Sequence, residues 1–232
     1  MWIFFCFFAF KVYFMPFKQE VIQIKQVKVH LVTFESFNPS DYLGHLTPIE
    51  TDRFTSIKPI LKQQQFIATR YLRDQLFGQL PIQYNAIGAP FIDQNGFISI
   101  SHSSNTVGIA YCEDFQVGLD IELITEKAKK VYQKFLNKTE QALFDLNSNS
   151  ELTKLWSAKE TLYKIANRKG IDFKTELLLA PSTKNMLIGE IIQPNGSDLV
   201  EIHTFAHRNY MITLNHSKIT HVKQSFKNSR SD

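Results

Sequence analysis

The chain has 232 residues, 44% hydrophobic and 13% aromatic, enough to bury one large core or two smaller ones. Its 26 basic and 22 acidic side chains leave a formal charge of +4, too small an excess to argue for nucleic acid and compatible with phosphorylated or acidic partners. Cys6 and Cys112 stand far apart in no metal-like spacing, which argues against a disulfide scaffold or structural zinc and points to a reducing cytoplasm.

Residues 1–14 hold an apolar run of about nine residues, too short for a bilayer span of about 20. They lack the positive start and small-residue cleavage site of a secretory signal. They read as an apolar extension, non-native or disordered, with Met15-Pro16-Phe17-Lys18 as an ordinary opening. The first expected strand lies in residues 26–35, where Val27, Val29 and Leu31 alternate with Lys28 and His30. Thr47, Pro48 and Glu50 form a helix start with a capping box, and Arg53, Lys58 and Lys62 make the stretch basic. A long helix is predicted from Lys62 to Leu80, its buried side formed by Phe66, Ile67, Leu72, Leu76 and Phe77. Arg70 and Arg73 are neighbours on it, either on a solvated face or in a binding role.

Residues 93–96 read as a turn, followed by a strand with Ile98 and Ile100 on one face and Ser99 and Ser101 on the other. That strand ends in a hydroxyl cluster around His102, without the pattern of a nucleophile elbow. Residues 106–112 and 116–123 are expected to pair as a hairpin around Glu113-Asp114. In the second of these strands the period of two puts Asp120 and Glu122 on one face, with Gly118 leaving room for a close approach. Two carboxylates so close repel unless a cation lies between them, and Mg²⁺ takes such a pair together with waters and phosphate oxygens. An acidic but idle strand face is the plain alternative.

Residues 131–144 break at Asn137 into two short helices. An amphipathic helix then runs from about Glu151 to Arg168, stopped by Gly170. Its apolar face carries Leu152, Leu155, Trp156, Leu162, Tyr163 and Ala166, while Glu160 and Lys164 lie one turn apart. Strand-like segments follow at 177–192, 201–206 and 210–214, and the polar residues 217–232 are expected to be a disordered tail. The order describes an α+β protein of two similar α/β halves, residues 15–112 and 113–216, each with strands around a long helix.

Ile98-Ser99-Ile100-Ser101-His102-Ser103, then Val117-Gly118-Leu119-Asp120-Ile121-Glu122, then Phe135 to Glu140, then Trp156-Ser157-Ala158-Lys159-Glu160-Thr161-Leu162-Tyr163-Lys164, resemble the 4′-phosphopantetheinyl transferases of the surfactin-synthetase-activating, pseudo-dimeric type. The likeness covers residues from about 25 to 215 and rests mainly on the coupling of the Trp156–Lys164 helix to the Gly-x-Asp-x-Glu strand. It implies two halves related by pseudo-twofold symmetry, a monomeric enzyme, and Mg²⁺-dependent transfer of phosphopantetheine from coenzyme A to a serine of an acyl or peptidyl carrier protein. Adenosine 3′,5′-bisphosphate would be released; nucleic acid and membrane partners are not implied.

By position, the resemblance gives Asp120, Glu122 and Glu160 to the metal and Glu160 to deprotonation of the serine. Lys164 would offset pyrophosphate charge and His102 would meet the 3′-phosphate, with Ser101, Arg53 and Arg70 as further coenzyme A contacts. Val131, Tyr132, Phe135 and Leu136 would form a carrier-docking surface or else ordinary core. Two departures stand out: Ala89 lies between Gly88 and Pro90, where the family often has a basic residue, and Gln65 replaces an arginine. Rival readings are a catalytically weak homologue that binds coenzyme A or carriers, and a metal-dependent phosphohydrolase using the same groups.

Overall fold

The computed structural model describes residues 16–93 and 96–223. The apolar stretch 1–14, most of the tail, and two residues of the expected 93–96 turn therefore lie outside the described residues. The chain opens with a hairpin the sequence reading only half anticipated: β1 (Phe17–Ile24) pairs antiparallel with β2 (Val27–Phe34), Phe17 facing Phe34. A 3₁₀ turn (Pro39–His45), α1 (Pro48–Thr55) and the 18-residue α2 (Ile60–Phe77) follow. The short strands β3 (Gln83–Tyr84) and β4 (Pro90–Phe91) lead to β5 (Phe97–Ser103) and β6 (Thr106–Cys112), completing a first sheet in the order β1-β2-β6-β5.

The second half begins with β7 (Leu119–Leu123), α3 (Lys127–Phe135), α4 (Lys138–Leu143) and α5 (Asn149–Ala166). It ends with β8 (Leu177–Thr183), β9 (Met186–Gln193), β10 (Gly196–His207), β11 (Tyr210–Asn215) and β12 (Thr220–Lys223). These strands form a sheet in the order β7-β11-β10-β9-β8, with β12 also paired to β10. The protein is thus a mixed α/β fold with several sheets.

β6 and β7 are not a hairpin: β6 has both edges filled by β2 and β5, and β7 pairs with β11 in the other sheet. The crossing is fixed by Asn215, whose side chain accepts the Gly118 N–H (2.8 Å) and donates to the Gln116 carbonyl (2.9 Å). The tail is not unstructured from residue 217, because Thr220–Lys223 adds a strand beside Gly196–Leu199. Finally, α5 ends at Ala166, two residues before the expected Arg168, and the cap is Asn167 and not Gly170; Asn167 takes the left-handed region at φ 48°, a conformation asparagine tolerates better than most residues.

Both halves use the same buried pin. Glu50 closes the capping box of α1 by accepting the Thr47 N–H (3.1 Å), and its buried carboxylate also takes Arg70 (3.1 Å), Arg73 (3.1 Å) and the Ile82 N–H (3.2 Å). Glu140 does the same for α4, accepting the Asn137 N–H (2.8 Å), Lys159 Nζ (2.6 Å) and the Leu179 N–H (2.9 Å). In each case one carboxylate ties a short helix to the long helix that follows and to the chain beyond it. A buried ion pair of this kind gives little net stability, yet losing one partner leaves a charge stranded in the core. The solvated-face alternative for Arg70 and Arg73 is thereby removed; they are 2% and 0% exposed.

Apolar side chains fill three regions. Phe66, Ile67 and Leu72 of α2 pack on Val32, Val107 and Ile109 of the first sheet. Leu155, Leu162 and Ile165 of α5 pack on Leu177, Ile191 and Ile202 of the second. The third core joins the sheets, with Val29 and Leu31 of β2 and Ala110 of β6 against Leu119 and Ile121 of β7 and Ile212 of β11. Phe135 and Leu136, two of the four residues considered for a docking surface, belong to the second core at 2% and 0% exposure; Val131 is exposed and Tyr132 half-buried.

Candidate active site

β7 alternates as its sequence requires. Leu119 and Ile121 point into the core between the sheets, which turns Asp120 and Glu122 toward α5. Helix and strand approach closely because residue 118 is glycine: a Cβ there would lie 2.7 Å from the Thr161 carbonyl oxygen and 2.7 Å from Ile165 Cγ1. The room expected at Gly118 is therefore occupied by α5 itself.

Asp120 is the hub. Its Oδ1 accepts Lys164 Nζ (2.9 Å) and the Ser101 hydroxyl (3.0 Å), and its Oδ2 accepts the Ser157 hydroxyl (2.8 Å). Lys164 also donates to the Leu119 carbonyl at 2.7 Å, so the ammonium is fixed against the strand at two points. Glu122 accepts the Trp156 indole N–H at 2.8 Å, and that indole stacks on Phe173. Ser157 and Thr161 continue the polar seam to Thr213 of β11 at 2.9 and 2.7 Å. Glu160 accepts no hydrogen bond from any described residue.

The acids are crowded. Burial, followed by the charge of Asp120, pushes the Glu160 carboxyl up to about 7, with Lys164 opposing and Glu122 adding to the rise. Burial and Asp120 likewise raise Glu122, against the Trp156 hydrogen bond. Half-buried Glu122 and Glu160, each pushed up by burial and then by Asp120, form with it a hard oxygen donor set with spare lone pairs on Glu122 and Glu160. That chemistry suits a divalent cation such as Mg²⁺, which takes one or two protein carboxylates and completes its shell with water and phosphate oxygen. Among the described residues, no three His, Cys, Asp or Glu side chains converge closely enough to hold an ion by themselves.

The serines of β5 have a role the sequence reading left open. Ser99, Ser101 and Ser103 accept the N–H groups of Leu119, Ile121 and Leu123 at 2.9, 3.1 and 3.1 Å. Alternate serines on one face meet alternate amides of β7 and stitch the two sheets together. Ser101 is buried and doubly engaged, by Ile121 and by Asp120. The signal in the sequence is the matching period of two in both strands.

Beside this cluster lies a cleft of about 760 Å³ between the two halves. Arg53, Lys62 and His102 line it from the first half, and Lys164, Arg168 and Lys169 from the second; no described acidic residue lines it. Lys164 belongs to both the cleft and the carboxylate cluster. Arg53 lies 3.6 Å over the Tyr84 ring. Arg70 also reaches the wall, but its charge is matched by Glu50. His102 is exposed on the wall, yet the protein around it, then Lys62, holds its pKa below the ordinary imidazole value. At position 89, alanine supplies no cation; Asn85 closes that loop by accepting the N–H groups of Ile87 (3.1 Å) and Ala89 (2.9 Å).

Every residue assigned to the metal or to catalysis from the sequence thus falls in one cluster, and His102 and Arg53 fall on the adjoining cleft. No described helix is long and apolar enough to cross a membrane. Residues 116–215, which carry β7, α5 and all three carboxylates, match the family model of the 4′-phosphopantetheinyl transferase superfamily. No curated protein matches the chain. The family match supports a transferase and phosphopantetheine transfer in general.

Proposed function

We propose that the protein is a holo-carrier-protein synthase of the surfactin-synthetase-activating type: a monomeric, cytoplasmic enzyme that moves 4′-phosphopantetheine from coenzyme A to a carrier-protein serine. The observation that carries this reading is the meeting of Asp120, Glu122, Glu160 and Lys164 at the edge of a cleft whose charged lining residues, among those described, are all cations. An anionic nucleotide fits such a cleft, and the shared pin of Glu50 and Glu140 is in line with two halves related by a pseudo-twofold axis.

Asp120, Glu122 and Glu160 would hold Mg²⁺, which when bound supplies positive charge to the pyrophosphate. Glu160 takes the proton from the carrier serine; its raised pKa, near 7, suits a general base at neutral pH. The serine oxygen bonds to the phosphorus that bears pantetheine, and the bond from that phosphorus to the bridging oxygen breaks. Adenosine 3′,5′-bisphosphate leaves, its new charge offset by Lys164. His102 and Arg53 grip the nucleotide, and Arg70 supports the wall. A carrier would approach beside Glu122, where α3 exposes Lys127, Lys129, Lys130 and Lys134 around Val131, a surface suited to an acidic partner.

The test is mass spectrometry of apo carrier proteins incubated with coenzyme A and Mg²⁺. A gain of one phosphopantetheine, lost in Glu160→Ala, is expected; no gain across fatty-acid, polyketide and peptide carriers would overturn the reading. Ala89 favours a second reading, a homologue that binds coenzyme A without turnover, which predicts retained binding and no mass gain. A phosphohydrolase would release phosphate with no carrier present.

A further inference from the structure

Buried hydroxyls on helices commonly turn back on their own chain. Thr69 of α2 and Thr153 of α5 do so here, each donating to the carbonyl four residues earlier at 2.7 Å. Ser157 and Thr161, one turn apart further along α5, instead reach across to the Thr213 hydroxyl of β11, at 2.9 and 2.7 Å. All three are fully buried, and none of them lines the cleft. Thr213 stands directly opposite Asp120 in the pairing of β11 with β7.

The protons of this seam can be assigned, because a hydroxyl has only one to give. Ser157 spends its proton on Asp120 Oδ2 at 2.8 Å, since a carboxylate has none to offer. The contact between Ser157 and Thr213 must then be donated by Thr213, and the contact between Thr213 and Thr161 by Thr161. The chain therefore runs one way, from Thr161 through Thr213 and Ser157 to Asp120. At its end the two carboxylate oxygens differ. Oδ1 takes both Lys164 and the Ser101 hydroxyl, while Oδ2 takes Ser157 alone among the described residues. The lone pair left over on Asp120 lies on Oδ2, and the direction in which it points is set by Ser157.

We propose that Thr213 is a positioning residue for the divalent cation: its hydroxyl holds Ser157 on Asp120 Oδ2 and so aims the lone pair that Asp120 presents to the metal. This rests on the reading of the carboxylate cluster as the Mg²⁺ site of a transferase. Without the Thr213 donor, Ser157 is free to turn toward the carbonyl four residues back, as Thr69 and Thr153 do, and Oδ2 loses its tether. A hydrogen-bond partner behind a ligating carboxylate commonly changes metal affinity by tenfold or more.

The experiment is titration of Mn²⁺, followed by the electron paramagnetic resonance signal of the free ion, into protein saturated with coenzyme A and without a carrier. Thr213→Val keeps the shape and removes the hydroxyl; Thr213→Ser keeps the hydroxyl. We expect Thr213→Val to bind Mn²⁺ about tenfold more weakly and Thr213→Ser to bind it as the wild type does. Ser157→Ala should lose as much, and the double variant no more than either single one, since both cut the same chain. Thr153→Val removes a similarly buried hydroxyl from the same helix but outside the chain, and should lower the Tm while leaving Mn²⁺ affinity unchanged. Wild-type affinity in Ser157→Ala or in a folded Thr213→Val, an additive double variant, or an equal loss in Thr153→Val overturns the assignment. A wild type that takes up no more Mn²⁺ than coenzyme A alone overturns the metal reading of the cluster, and this assignment with it. Affinities in the expected order, in a protein that modifies no carrier, overturn the transferase reading and leave the role of Thr213 standing.

Discussion

The raised pKa of Glu160 makes a sharp prediction about stability, separate from turnover. When the chain is unfolded this carboxyl releases its proton near 4.5; when folded it keeps the proton up to about pH 7. Between those values the folded state binds more protons than the unfolded state, so stability falls as pH rises through the window and levels off above it. At roughly 1.4 kcal/mol per tenfold change, moving the carboxyl from 4.5 to about 7 costs the ionised folded state about 3 kcal/mol. Glu160→Gln removes the charge and keeps the shape. In metal-free buffer the variant should match the wild type near pH 4.5 and exceed it at pH 8 by about 3 kcal/mol, or roughly 6–12 °C in Tm for a chain of this size. Added Mg²⁺ should raise the Tm of the wild type at pH 8 and move the variant much less, because a cation relieves the same crowding. Thermal melts at four pH values, with and without Mg²⁺, suffice. A variant less stable than wild type at pH 8, or a difference that does not change with pH, would refute the argument that burial and the neighbouring acids disfavour ionised Glu160.

Other perturbations probe the frame. Ser101→Ala strands the Ile121 N–H and takes a donor from Asp120, and should cost about 1–3 kcal/mol in urea unfolding; a loss no larger than that of Ser103→Ala, whose hydroxyl accepts only the Leu123 N–H, would count against it. Lys159→Met leaves Glu140 charged in the core and should cost about 3–5 kcal/mol, so a shift below about 1 kcal/mol would show that the pin is dispensable. Gly118→Ala drives a Cβ against the Thr161 carbonyl oxygen at 2.7 Å and must part β7 from α5. Its turnover should fall at least about tenfold while its coenzyme A Kd holds, and equal losses in both would mean that strand and helix do not set the reaction geometry.

What the sequence made legible was local. The alternation through residues 117–123 turned Asp120 and Glu122 to one face, and the spacing of α5 put Glu160 and Lys164 one turn apart. Each follows from the period of one element. What escaped depended on partners distant in the chain. Nothing in residues 106–123 says that β6 has no free edge, so a hairpin was the natural expectation, and β7 instead found β11 some ninety residues later. Arg70 and Arg73 look like surface residues until Glu50 is seen inside the core beside them. The serines of β5 look like a turn because their acceptor role needs a second strand opposite. Thr220–Lys223 reads as tail because its polar residues gain order only by pairing with β10.

The two long helices are each tied by a buried carboxylate and differ in what else they present. α5 spends Lys159 on Glu140 and still carries Glu160 and Lys164 to β7, so it can serve pyrophosphate and base. α2 spends Arg70 and Arg73 on Glu50, and offers the cleft only Lys62 at its open first turn together with neutral side chains. On this reading the first half holds the nucleotide and the second performs the transfer, so neither can work without a fixed distance between them. The apolar core between the sheets resists separation but tolerates sliding, since dispersion contacts are not directional. The three serine-to-amide bonds of β5 and β7 are directional, and they lie beside the carboxylates. They therefore help to set the register between the nucleotide wall and the catalytic strand. Weakening them should impair turnover before it impairs the binding of coenzyme A.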